Sequence, residues 1–204
     1  GQIRESNSHT LAAQVRSCGA EALRLGIVSD NLNRVTERLD EAALLEVDLI
    51  ISTAGVSVGV FDYVRIALEK HGELDFWRVN MRPGKPLAVG SYRSVPFVGL
   101  PGNPVSAFVG FEVFLRPALY KLAGEVNWQR EEQEARLVAD TRSDGRESYL
   151  RGVLSRDESG YLVQPAAHQG SGNLNSLVKA NALYILPAGV RKFPSGSAVK
   201  FWRI

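Results

Sequence analysis

Cysteine is nearly absent: the 204-residue chain holds one, Cys18. A single thiol excludes an internal disulfide and any multi-cysteine metal site, and it fits a reducing compartment such as the cytoplasm. Long apolar runs are missing as well. None approaches the roughly 18 residues that a membrane-spanning helix needs, and no secretory signal pattern is visible. Charge of one sign is not in excess: 24 Lys and Arg against 22 Asp and Glu leave a net charge of +2, too mild to argue for nucleic acid. His9, His71 and His168 are scattered without metal-ligand spacing. No Ser-His-Asp arrangement suggests itself around Ser57, although Gly55-Val-Ser57-Val-Gly59 has the G-x-S-x-G spacing. There is no Walker A loop, no G-x-G-x-x-G fingerprint, no internal repeat and no low-complexity tract. An initiator Met is lacking too. The chain opens on Gly1-Gln2-Ile3-Arg4, and the expectation is a piece of a longer protein.

What is present turns on Val98 to Ala107, Val-Gly-Leu-Pro-Gly-Asn-Pro-Val-Ser-Ala. Val95 to Gly99 reads as a short buried strand. Pro104 to Leu122 reads as a helix, with Asn103 as N-cap and Pro104 at its first position. Gly99 and Gly102 let the backbone bend tightly and a ligand approach. A helix start of this kind is a seat for an anion, through its free N–H groups and its dipole. On its own it is equally a plain helix cap.

Before this stretch, Asn7 to Ser17 has helical spacing, Glu21 to Val28 reads as a strand, and Asn33 to Leu45 carries a clear apolar stripe. Val47 to Thr53 is an almost continuous apolar run, as in a strand covered on both faces. A glycine-bearing loop, Ala54 to Asp62, follows, then a helix over Tyr63 to His71 and a strand over Asp75 to Asn80. The loop Met81-Arg82-Pro83-Gly84-Lys85-Pro86 precedes two strands around a turn at Ser91 to Ser94. Alternation of strands with helices implies parallel βαβ units. The pattern changes past Gly124. Glu125 to Glu134 reads as a linker, and the rest is short strand-like runs with turn residues between them, the spacing of a small barrel or sandwich.

In a parallel α/β sheet the loops leaving the carboxyl ends of strands gather on one edge and form the ligand crevice. Four such loops here carry unusual residues: Asp30, the Gly55 to Asp62 loop, the Arg82 to Lys85 loop, and the Gly99 to Asn103 loop. Together they offer glycine backbone, small hydroxyls, two carboxylates and two cations. That mixture suits a phosphorylated or otherwise anionic ligand held with a divalent cation. Each residue also has a plainer reading. Asp30 is a turn former or cap, Asp62 caps the helix at Tyr63, Arg82 and Lys85 are solvated surface charges, and Pro83-Gly84 is a type II turn. Cys18 reads as packed rather than nucleophilic.

Three loops taken together, Ala54-Gly-Val-Ser-Val-Gly-Val-Phe-Asp62, Met81-Arg-Pro-Gly-Lys-Pro86 and Gly99-Leu-Pro-Gly-Asn-Pro-Val-Ser106, resemble in order and spacing the signature loops of molybdopterin molybdenumtransferases, the MoeA family, to which the gephyrin E domain is similar. The Asn7 helix, Leu25-Gly-Ile-Val-Ser-Asp30, Tyr149-Leu-Arg-Gly-Val-Leu154 and His168-Gln-Gly-Ser-Gly172 extend the resemblance over the whole chain. It implies an α/β fold: a three-layer, mostly parallel sheet domain of molybdopterin-binding type over residues 1–126, its first strand missing upstream, then a small all-β barrel-like domain over 127–204. It implies insertion of molybdenum from molybdate into adenylylated molybdopterin, with release of AMP and a requirement for Mg²⁺.

By the same resemblance, Asp62 and Asp30 would hold the metal or act at the pterin phosphate, and Arg82 and Lys85 would attract molybdate or phosphate. Gly55, Ser57, Gly59, Gly84, Gly99, Pro101, Gly102, Asn103 and Ser106 would cradle pterin and phosphate. Arg151 and Ser171 would close over the site from the smaller domain. The partner set it implies is a small pterin substrate, no nucleic acid and no membrane. It also implies a homodimer formed through domains absent upstream, and molybdopterin adenylyltransferase as an upstream partner. Two positions depart from the family: Ala54 stands for a usual glycine and Val60 for a usual acidic residue, which puts metal binding or rate in doubt. Two alternatives stay open, an adenylyltransferase-like enzyme, against which the β-rich tail argues, and a gephyrin-like non-catalytic scaffold.

Overall fold

The structure, a computed structural model, describes residues 4–53, 63–170 and 172–204. They form two compact units, one of Gly1–Val79 with Gly84–Glu125 and one of Asn80–Pro83 with Val126–Ile204.

In chain order the first half holds α1 (Asn7–Ser17), α2 (Leu32–Leu44), β1 (Ile50–Thr53), α3 (Tyr63–His71), β2 (Gly72–Arg78), β3 (Met81–Arg82), β4 (Pro86–Tyr92) and β5 (Val95–Leu100). A long helix follows, built of α4 (Pro104–Gly110), a π-helical turn over Phe111–Leu115, and α5 (Arg116–Leu122). All but β3 belong to the first unit. Its sheet runs in the order β1-β5-β4-β2.

β1 and β5 are parallel, with Ile50 opposite Phe97 and Thr53 opposite Leu100. The β4–β5 and β2–β4 pairs are antiparallel. Among the described strands, the parallel character expected of the sheet is therefore carried by β1 and β5. Alternation along the strands feeds two cores. Ile50, Ala88, Tyr92 and Phe97 pack with α2 and α3 through Leu39, Ala42, Ala67 and Leu68. Leu87 and Leu100 pack on the other face with Leu11 and Val15 of α1 and with Ala107, Phe111 and Leu115 of the long helix. Helices on both faces make three layers, the expected α/β class.

One expected strand is not there. Glu21 to Val28 has no regular structure. Ala22 and Leu25 pack on the two cores, but Leu23 and Ile27 stay exposed and Gly26 takes φ +81°. Its apolar residues therefore anchor a crossing segment instead of lining one face of a ladder. The run from Val47 shortens to β1, with Glu46 before it at φ +53°. Gly72, expected to end a helix, instead opens β2.

The second unit holds β3 with β6 (Gln133–Leu137), β7 (Thr141–Arg142), β8 (Glu147–Asp157), β9 (Gly160–Pro165), α6 (Leu174–Lys179), β10 (Ala182–Leu186), β11 (Lys192–Phe193) and β12 (Ala198–Arg203). The order β10-β12-β6-β9-β8 closes on itself because β8 also pairs with β10. This is the expected barrel, with no sheet edge left among these strands. Leu150, Val163, Tyr184, Val199 and Phe201 fill its interior. The outer row Arg151–Leu183–Trp202, matched across β8, β10 and β12, is buried as well. Arg130 lies over the Trp202 ring at 5.7 Å and its guanidinium donates to the Arg203 carbonyl. The segment before β6 thus covers one end of that row.

Candidate functional site

The first unit places the glycine- and proline-rich turn where the expectation put it. β5 ends at Leu100, beside Thr53 at the end of β1. Pro101 to Asn103 then turn into α4, with Asn103 as N-cap and Pro104 in the first turn. The carboxyl edge of a parallel pair thus opens onto the start of a long helix, the arrangement that seats anions in α/β sheets. Gly99, Pro101, Gly102, Asn103 and Ser106 come together here. The Asn103 side chain makes no capping bond. Among the described residues its Oδ1 is buried without a partner, and so is Ser52 Oγ on β1, opposite Gly99. Buried polar atoms are rarely left unpaired, and these two mark the edge as unfinished without a ligand or neighbouring segment.

The turn is held from behind. Asn7, buried on α1, donates through Nδ2 to the Gly102 carbonyl at 2.8 Å. One helical stripe further, Gln14 Nε2 donates to Glu112 Oε1 at 2.7 Å and to the Phe108 carbonyl at 3.4 Å. The sequence pattern gives Asn7 as a helix start only. Its signal was available: Asn7, Leu11, Gln14, Val15 and Cys18 share one helical face, and an amide on a buried face must find partners.

The remaining candidates lie elsewhere. Asp30 is exposed in the bend before α2. The cap of that helix is its neighbour Asn31, whose Oδ1 accepts from the backbone of Asn33 and Arg34. Lys85 is exposed, its carbonyl accepting from Val79 N at 3.0 Å, and Gly84 takes φ +104°. A depression of about 220 Å³ lined by Ile27, Val28, Ser29 and the charged face of α2 includes none of the predicted site residues. Gly55, Ser57, Gly59, Asp62 and Ser171 lie outside the described residues, as do the departures at Ala54 and Val60.

Magnesium takes one or two carboxylates beside substrate phosphate. The described residues bring the exposed carboxylate of Asp30. No group of three or more His, Cys, Asp and Glu among them is placed to hold a metal. They do not by themselves form a magnesium site.

In the second unit Arg82 sits on β3, opposite Ser148 of β8. The nearby carboxylate, Asp144, is engaged by Arg146 at 2.6 Å, and Arg146 also donates to the Met81 carbonyl at 2.9 Å. The Arg146 hydrogen bond, helped by the Arg82 charge, holds the Asp144 carboxyl down at about 2. Arg151 is fully buried, and burial pushes its guanidinium below the usual range. Its Nε donates to Ser176 Oγ at 3.0 Å and its Nη2 to the carbonyls of His168 and Gly170 at 3.0 and 3.1 Å. Arg151 therefore stands behind the 166–170 loop rather than at its surface, while His168, Gly170 and Gly172 are exposed.

The likenesses to known proteins agree with this geometry. Residues 1–121 match the family described as a probable molybdopterin binding domain, and residues 134–204 match the MoeA C-terminal region, domain IV. A molybdopterin molybdenumtransferase of Nostoc sp. is 39% identical over 98% of this chain and 47% of its own length. One from Haemophilus influenzae is 35% identical over 91% of this chain and 46% of its own. The crystal structure of a molybdopterin biosynthesis MoeA protein from Pyrococcus horikosii superposes with a TM-score of 0.84 at 25% identity, covering 99% of this chain and 48% of that one. The chain spans about half the length of the curated relatives it matches. With a three-layer domain whose β5 runs into the Leu-Pro-Gly-Asn-Pro turn and a closed barrel in the second unit, the chain belongs to the molybdopterin-binding domain family in its MoeA form.

Proposed function

We propose that this chain is the pterin-binding and barrel portion of a molybdopterin molybdenumtransferase, which inserts molybdenum from molybdate into adenylylated molybdopterin and releases AMP. The observation that carries the reading is the 99–106 turn. It lies at the carboxyl edge of β1 and β5, tied by Asn7, with Ser52 Oγ and Asn103 Oδ1 unpartnered among the described residues. A multiply anionic ligand needs N–H donors and cations. The first turn of α4 supplies N–H groups of Val105 and Ser106, which have no carbonyl four residues back within the helix. Lys85 supplies an exposed cation in the first unit, and Arg82 is a half-buried cation on β3 of the second. Within this reading Gly55, Ser57 and Gly59 join the cradle, Asp62 and Asp30 serve the magnesium requirement, and Ser171 belongs to the ligand-facing loop of the barrel. The MoeA-type region over residues 134–204 favours this reading over an adenylyltransferase-like one. A cytoplasmic location, dimerisation of the full-length protein and receipt of substrate from molybdopterin adenylyltransferase complete it.

The test is calorimetric titration of adenylylated molybdopterin into the chain, with and without Mg²⁺ and molybdate. Saturable binding, strengthened by Mg²⁺ and weakened by Lys85→Ala with a shallower salt dependence, is the expected result. Failure to bind by this chain and by a protein of the relatives' full length would overturn the proposal.

A further inference from the structure

We infer that Arg151 is a positioning residue: together with Gln169 it sets the shape of the 166–170 loop, and the loop, not the guanidinium, meets the ligand. The second clause rests on the function proposed above. The first stands on the barrel alone.

Among the described residues, the hydrogen-bond partners of this side chain are neutral oxygens of the loop or of α6: Ser176 Oγ, the His168 carbonyl and the Gly170 carbonyl. The backbone of the same residue holds the loop too. Arg151 N donates to Gln169 Oε1 at 3.2 Å, and Gln169 Nε2 donates to the Arg151 carbonyl at 2.8 Å. The Gln169 amide thereby fills the place of a neighbouring strand beside β8. Ala166 N donates to the same carbonyl at 3.0 Å, and Gln169 Nε2 also reaches the Ala166 carbonyl at 3.3 Å. Ser176 passes the restraint on, its Oγ donating to the Asn173 carbonyl at 2.6 Å. One residue of β8 thus fixes positions 166, 168, 169, 170 and 176.

The chemistry fits this role and not direct contact. Arg151 is fully buried, whereas His168 and Gly170 are exposed. Burying a guanidinium against neutral acceptors is costly, and its Nη1 has no partner among the described residues. A leucine would pack the barrel wall without that cost. What an arginine adds is a planar fork that reaches two carbonyls and a hydroxyl at once, which lysine cannot do.

The experiment compares Arg151→Lys and Gln169→Leu in this chain. Gln169→Leu keeps the charge and removes the strand-like amide, and it carries both arms if Arg151→Lys does not fold. Amide hydrogen exchange without ligand should accelerate about tenfold or more across 166–170 in both variants, while the amides of Leu183 and Phe201 in the barrel stay protected. Titration with adenylylated molybdopterin should show both variants weakened by similar factors, with the salt dependence of Kd unchanged from the parent. Unaltered loop exchange in both variants would overturn the inference. So would an affinity loss confined to Arg151→Lys with a flattened salt dependence, the mark of direct charge contact. If the parent chain does not bind, the functional reading fails separately and the exchange arm still decides what Arg151 holds.

Discussion

Gly152 gives the sharpest test of the barrel. It lies on β8 beside Arg151, opposite Ala182 of β10 and Pro165 of β9. A Cβ built there would stand 2.5 Å from Val163 Cγ2, 3.1 Å from Tyr184 Cδ1 and 3.2 Å from the Gln164 carbonyl oxygen. Carbon atoms pack at about 3.5–4.0 Å, so the first contact is roughly 1 Å too close. Val163 cannot readily give way. It is fully buried, β-branched with few χ1 choices, and lies on a strand paired with both β6 and β8. Overpacking of this kind costs about 1–3 kcal/mol. Loss of glycine's extra freedom in the unfolded chain offsets about 0.4–1 kcal/mol of that. Gly152→Ala should therefore destabilise the barrel by about 1.5 kcal/mol, or roughly 6–12 °C in Tm for a unit of this size.

The reasoning is tested by a double-mutant cycle with Val163→Ala. Alone, that change removes two buried methyl-sized groups and should cost about 2 kcal/mol through lost transfer energy and a small cavity. In the double variant the new Cβ enters the space the methyl leaves. The combined cost should fall short of the sum by about 1 kcal/mol or more. Denaturant unfolding followed by far-UV circular dichroism and tryptophan fluorescence measures all four corners, since Trp128 and Trp202 lie in this unit. Additivity within about 0.5 kcal/mol would refute the steric account.

Asp40 accepts from Tyr92 Oη and Arg93 Nε, each at 2.6 Å. Arg93 and then Tyr92 hold its carboxyl below the usual 3.8, so this stability is present above that pH and is lost as pH falls further. Burial, then Asp40, pushes the Tyr92 hydroxyl up to about 12, so its contribution is intact below pH 10 and lost as pH rises from 10 towards 12. Asp40→Asn should blunt the acid-side loss in urea midpoints taken across pH, and an unchanged profile would count against the network. The β4–β5 turn places Arg93 and Ser94 at φ +46° and +69° without a glycine. Ser94→Gly should raise stability by about 0.5 kcal/mol as lost strain outweighs added chain freedom, and a drop in Tm would contradict this. Asn7→Leu removes the donor to Gly102 and should cost about 1–2 kcal/mol. Hydrogen exchange at Gly102 and Asn103 should speed up with it, and unchanged exchange there would separate α1 from the turn.

Legibility in the sequence followed the physics of each signal. The helices at Asn7, Leu32, Tyr63 and Pro104 were readable because an amphipathic stripe and a cap or proline coincide in each. The β4–β5 hairpin and the barrel strands were readable from apolar runs between turn residues. Glu21 to Val28 misled because Leu23, Leu25 and Ile27 alternate as in a strand, while pairing depends on neighbours that periodicity does not see. The antiparallel partners of β4 were likewise a matter of pairing, not of pattern. At the candidate site the turn itself was legible from Gly99, Pro101, Gly102 and Asn103. Its supports were not: Asn7 and Gln169 act across 95 and 18 residues of chain, and only the fold brings such partners together.

Those supports share a logic, each within its own unit. In the first, a buried side chain on α1 ties down the carbonyl of Gly102. In the second, a buried side chain on β8 ties down the carbonyls of His168 and Gly170. A trans peptide is planar, and its C=O and N–H point in nearly opposite directions. Drawing a carbonyl inward therefore turns the N–H of the same peptide outward: that of Asn103 in one loop, that of Gln169 in the other. A loop built this way offers donors to its open side before any ligand arrives, which lowers the ordering cost of binding an anion. Backbone donors fixed by buried polar side chains also explain why polar groups are tolerated at core positions where apolar packing would be more stable.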